Sequence, residues 1–132
     1  MLKKVWGLFL VLTVVTSANA EWELTTYSDE HYYFVDQERV RESTEYGKTY
    51  LKVWVKQVIY NDITKDGYGV GDYSLLLWQM DCNALTMGIK SYADYKKNGK
   101  MVYSTQAPFV KMNDAMPNSV GETILNKACF SQ

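Results

Sequence analysis

The chain is expected to fold as α+β: a curved antiparallel β-sheet with one C-terminal α-helix packed on a face and tethered there by a disulfide. Three observations predict this. Short segments rich in Tyr, Val, Thr and Trp follow one another with Gly, Asn and Asp between them, the signature of strands joined by turns. The short links between them imply antiparallel pairing. Beyond Pro117 the apolar period becomes helical, and two distant cysteines, Cys82 and Cys129, stand ready to join helix to sheet.

The strands are read in chain order. Trp22 to Tyr27 and His31 to Asp36 flank Ser28-Asp29-Glu30, and Arg39 to Thr44 alternates weakly before a turn at Glu45-Tyr46-Gly47-Lys48. Thr49 to Tyr60 alternates most clearly. Leu51, Val53, Val55 and Ile59 fall on one side, with Tyr50, Lys52, Trp54, Lys56 and Tyr60 on the other. After a turn-rich stretch from Asn61 to Asp72 comes Tyr73 to Cys82, where Leu76, Trp78, Met80 and Cys82 share a face. Thr86 to Asp94 and Lys100 to Ser104 form a hairpin around Lys97-Asn98-Gly99, an Asn-Gly turn.

Pro117-Asn118-Ser119-Val120-Gly121-Glu122 has the grammar of a helix start. Ser119 can cap the first-turn amides and Glu122 can reach back to complete a capping box. Ile124, Leu125, Ala128 and Cys129 then form one apolar stripe. A helix of about ten residues is marginal alone in water, so it must lie on something. A bond to Cys82 would press it onto the face that carries Leu76, Trp78 and Met80.

Met1 to Ala20 are expected to be a cleavable export signal. Lys3 and Lys4 precede an apolar run from Val5 to Val15, and Ala18-Asn19-Ala20 is a small-x-small cleavage site. The run of about eleven residues is too short for a membrane span, which needs roughly 20. No cysteine follows the cleavage site, so neither a lipid nor a membrane anchor is expected. Residues 21–132 would form one exported domain. In an oxidising compartment two thiols pair by default. One histidine and two cysteines without ligand-like spacing do not suggest a metal, and no cofactor is expected.

Of fourteen basic residues, Lys3 and Lys4 leave with the signal, so twelve face fifteen acidic ones and the net charge is about −3. Scattered cations at that balance argue against a nucleic-acid partner, and none is expected. Catalysis is not expected either. His31 lies in an aromatic strand, no serine has a nucleophile context, and the carboxylates are dispersed over loops and turns. Asp66-Gly67-Tyr68-Gly69-Val70-Gly71-Asp72 superficially suggests a phosphate loop. A strand rather than a helix follows it, however, and no Walker-type Lys-Ser/Thr pair is present. The segment is read as a flexible hairpin loop. Asp62, Asp66 and Asp72 fit no calcium-loop spacing.

The unusual feature is tyrosine: all eleven lie beyond the export signal. If the helix covers one face of the sheet, the other offers amphipathic aromatic surface of the kind enriched at interaction sites. Tyr50, Trp54, Tyr60 and Tyr68 are the candidate interaction residues. Covering the sheet, or forming a homodimer interface, is the plainer use of the same side chains.

Tyr33-Phe34-Val35-Asp36, Val53-Trp54-Val55, Leu75 to Asp81-Cys82, Tyr92, Gly99, Pro117 to Glu122 and Ala128-Cys129 together resemble the surface-adhesin protein E family of Gram-negative bacteria. The resemblance covers nearly the whole mature chain. It implies an antiparallel sheet with a disulfide-tethered C-terminal helix, binding to host matrix or plasma proteins, and self-association. The founding type carries a lipid on an N-terminal cysteine that this chain lacks. A binding protein for a host extracellular or envelope protein is thus the first expectation. The second is a periplasmic protein of housekeeping or enzyme-inhibitor type, and a small hydrolase is the weakest.

Overall fold

The structure, a computed structural model, describes residues 21–131; the expected export signal of residues 1–20 lies outside the described residues. Trp22–Tyr27 (β1) and His31–Asp36 (β2) form a hairpin closed by the Ser28 amide donating to the His31 carbonyl at 2.8 Å. The buried Asp36 carboxylate then accepts from the Glu38 amide at 3.2 Å and pairs with Arg39 at 3.3 Å, capping a 3-10 turn over Gln37–Arg39. That turn consumes Arg39, so the third strand is Arg41–Glu45 (β3) and starts later than its weak alternation suggests.

Lys48–Ile59 (β4) is long enough to take two partners on one edge. It pairs with β3 through residues 48–52 and with β2 through residues 55–59. Tyr73–Asp81 (β5), Thr86–Tyr95 (β6) and Met101–Gln106 (β7) continue the antiparallel sheet in the order β1-β2-β4-β5-β6-β7. Asn113–Asp114 (β8), a strand the sequence pattern does not announce, adds to β6 at Thr86 and Met87. Gly99 takes φ +91°, and the Lys96 amide reaches the Lys100 carbonyl at 2.9 Å, so the β6–β7 hairpin closes as the Asn-Gly signal predicts.

Alternation and pairing agree on which face is closed. Val53 lies opposite Trp78, Val55 opposite Leu76 and Leu51 opposite Met80. Val35, Val53, Val55, Leu76, Met80 and Met87 are buried beneath Ile124, Leu125 and Ala128 of the helix Val120–Phe130 (α1). The register slips between Leu77 and Trp78, which leaves Lys90 as the extra residue of a bulge in β6. A bulge sharpens local twist.

The helix starts as its capping signal requires. Ser119 Oγ accepts from the Glu122 amide at 3.1 Å. The Glu122 carboxylate reaches one residue further than a capping box would place it, accepting from the Asn118 amide at 3.1 Å. The reason is local: the Ser119 amide is already committed to the Met116 carbonyl at 3.2 Å. At the other end Cys129 is bonded to Cys82, with the two Cα atoms 5.7 Å apart. Lys127 adds an ion pair to Glu23 of β1 at 2.9 Å.

The face opposite the helix is not wholly open, as the pattern of strands alone would have it. Between β7 and β8 the chain doubles over it as a strap at residues 107–112. Ala107 is tied to Lys90 by two hydrogen bonds, each of 2.9 Å. The strap's Met112 sulfur meets the buried Gln79 amide at 3.8 Å, and Phe109 reaches the ring of Tyr46 at 6.4 Å. Gly88 makes the crossing possible: a Cβ there would lie 2.5 Å from both the Lys111 carbonyl oxygen and Val110 Cγ1. Gly88→Ala is therefore expected to destabilise the fold by about 1–3 kcal/mol. In limited proteolysis, tryptic cleavage after Lys111 should accelerate in step. An unchanged denaturation midpoint with unchanged cleavage would refute the close crossing.

Candidate functional site

Two of the concavities bear on function, one on each face of the sheet. The first is a trough of about 680 Å³ on the face opposite the helix, beside the strap, bordered by Arg41, Trp54, Leu75, Leu77, Tyr95 and Met101. Strand alternation puts Trp54 and Leu77 directly across from each other in β4 and β5. Trp54 is half-buried, and all six residues of the neighbouring β7 are exposed. Further along the same face Lys56 stands 4.5 Å from the ring centre of Tyr73 and 6.0 Å from that of Trp22. These rings hold the ammonium by cation–π attraction.

Tyr60 lies at the end of this face. Its ring stacks on Tyr32 at 4.2 Å and its hydroxyl donates to the Ser28 carbonyl at 2.6 Å. Trp54 and Tyr60 thus share the aromatic side that alternation assigns them. Tyr50, four residues before Trp54, borders a cavity beside Cys82 and Cys129. Tyr68 lies elsewhere, on the 61–72 loop, where it lines the second concavity.

That second concavity is a cleft of about 150 Å³ on the helix side of the sheet, beyond the end of the helix. Glu30, Asp66, Asp72 and Asp94 all line it, together with His31, Ser74, Tyr68 and Tyr92. Four carboxylates that look dispersed in sequence are thus gathered by strand pairing and one folded loop. Ser74 and Asp94 face each other across β5 and β6, and the Ser74 hydroxyl donates to Asp94 at 2.6 Å. Glu30 is held below the usual carboxylate range by the Thr64 hydroxyl, which donates at 2.7 Å, and by the Thr64 and Ile63 amides.

The glycine-rich loop does bind an anion, and the anion is its own. The Gly69 amide donates to the Asp72 carboxylate at 2.8 Å, and the Lys97 amide does so from the next hairpin, also at 2.8 Å. Lys96 adds an ion pair at 3.4 Å. The Gly69 amide and then its other partners hold Asp72 below the usual range. The loop is therefore anchored rather than loose, and a phosphate would have to compete with Asp72 for these amides.

Serine, histidine and aspartate meet in this cleft in an order unsuited to acyl transfer. Ser74 donates straight to the carboxylate, whereas a triad needs the imidazole between them. Burial pushes His31 below its ordinary value. Burial first, then the neighbouring Asp94, pushes the Tyr92 phenol up to about 12. No group of three or more His, Cys, Asp or Glu suited to holding a metal occurs among the described residues. Of the cleft residues the sequence pattern singles out only Tyr68, Asp66, Asp72 and His31. Asp94, Ser74 and Tyr92 carry no local signal, because only the β5–β6 register brings them together.

A sheet sealed on one face by a stapled helix, and left aromatic over part of the other, has the build of a binding protein. The chain belongs to the surface-adhesin protein E family, whose family model matches residues 22–130. No curated protein and no solved structure matches the chain. Membership makes it a surface adhesin in general terms, an exported or surface protein that binds other proteins. No helix among the described residues is long and apolar enough to cross a membrane.

Proposed function

We propose that this is an exported adhesin of a Gram-negative bacterium. It binds a host matrix or plasma protein through the aromatic face centred on Trp54. The observation that carries the reading is the trough itself, with half-buried Trp54 and Leu75 on the same face as an exposed edge strand. Tryptophans in such settings dominate binding energy, because they remove large area from water at small entropic cost. Tyr60 extends the surface towards β1, and Tyr50 lies on the same strand four residues before Trp54, whereas Tyr68 belongs to the other face. The signal of residues 1–20 would deliver the mature domain to the periplasm, from which it reaches the surface or the medium. Catalysis has no part in this role.

The test is surface plasmon resonance of the mature chain over a panel of purified host matrix and plasma proteins, alongside cell fractionation. Trp54→Ala should weaken any binding found by about 10–30-fold while leaving the circular dichroism unchanged. Recovery from the periplasm alone, with no panel protein bound, would favour the housekeeping or inhibitor reading instead.

A further inference from the structure

The cleft on the helix side lies on the opposite face from Trp54 and has a chemistry of its own. Asp94 at its floor is 8% exposed. Its partners are hydroxyls: Ser74 donates at 2.6 Å, and the phenols of Tyr92 and Tyr68 interact with it. No cation among the described residues is paired with Asp94, although Asp36, Asp62, Asp72, Asp81, Glu23 and Glu45 each have one. A buried carboxylate held only by neutral donors retains a strong attraction for a positive charge.

The walls suit an organic cation better than a metal ion. Aromatic rings of Tyr68 and Tyr92 line the space, and such faces attract ammonium and guanidinium groups. The protein demonstrates this at the rim, where Lys96 places its own ammonium 5.0 Å from the Tyr68 ring centre while paired with Asp72. The remaining carboxylates, Glu30 and Asp66, lie on the same lining and add to the negative field. The volume, about 150 Å³, admits a side chain or small amine and not a large ligand.

We propose that this cleft binds an organic cation head group, an alkylammonium or guanidinium, with Asp94 as its counter-ion and Tyr68 and Tyr92 as its aromatic walls. The head group could be that of a free amine or of a lysine or arginine on a partner protein. The source is decided by comparing n-butylammonium with short capped peptides containing a single Lys or Arg. Titration of the mature chain, followed by backbone amide NMR shifts, should show saturable binding with shifts at Ser74, Asp94 and Tyr68. The uncharged isostere n-butanol should not compete.

Asp94→Asn should weaken binding about tenfold or more. Its amide oxygen can still accept from Ser74, which preserves the fold. Tyr68→Leu, on the loop and outside the strands, should weaken it severalfold by removing one ring. Saturation by the free amine assigns a small-molecule source, and preference for a peptide assigns a protein side chain. The proposal fails if no cation saturates the site, if n-butanol competes equally, or if folded Asp94→Asn binds as the parent does. Binding to host proteins, read on the same preparations, reports on the opposite face, so the two readings fail separately.

Discussion

Reduction of the Cys82–Cys129 bond is expected to lower the free energy of unfolding by about 4 kcal/mol. The bond closes a loop across a sequence separation of 47, and opening it returns that loop's entropy to the unfolded chain. For a domain of this length the loss corresponds to a fall in Tm of roughly 15–25 °C. Calorimetry with and without a phosphine reductant measures it, and the double variant Cys82→Ala/Cys129→Ala should reproduce the reduced protein. A shift of only a few degrees in both would mean that helix docking alone supplies the stability. The helix should remain folded in the reduced native state, because Ser119 caps it, Lys127 pairs with Glu23, and Ile124, Leu125 and Ala128 stay buried.

Ile124→Ala should cost about 3–5 kcal/mol, the range for emptying a fully enclosed aliphatic site. Ile124 is 0% exposed and sits in the cluster with Val35, Val53, Val55 and Leu76. The exposed neighbour Asn126 provides the contrast, since Asn126→Ala should stay within about 0.5 kcal/mol of the parent. Urea denaturation followed by tryptophan fluorescence reads both. Equal midpoints for the two variants would show that the helix does not close the core.

Most of the sheet is legible in the sequence because its signals are local. Val53, Val55, Leu76 and Met80 alternate with polar or aromatic neighbours, and they occupy the buried face that alternation assigns. Ser119 caps the helix for the same reason, since the cap and the amide it serves are three residues apart. The first departure is at Arg39, where a buried aspartate captures the chain in a 3-10 turn. The second is the strap at residues 107–112, whose docking depends on Gly88, some twenty residues earlier, having no side chain. Nothing near Pro108 announces that contact.

The candidate sites divide along the same line. Trp54 and Tyr60 are assigned to the aromatic side by period alone, and they lie there. The acidic cleft could not be read, because Glu30, Asp72 and Asp94 are carried by three separate parts of the chain and their charges look solvated one at a time.

The amino-acid order alone places the alternating strands, their apolar side, the start of the helix and the two thiols that can staple it. Each of these follows from residue types a few positions apart, or from there being only two cysteines. How much of the second face stays open, and which carboxylates share a cleft, is set by the folded arrangement. Strap, register and loop each bring together residues distant in the chain, and a burial or a charge has its energy only once its neighbours are in place.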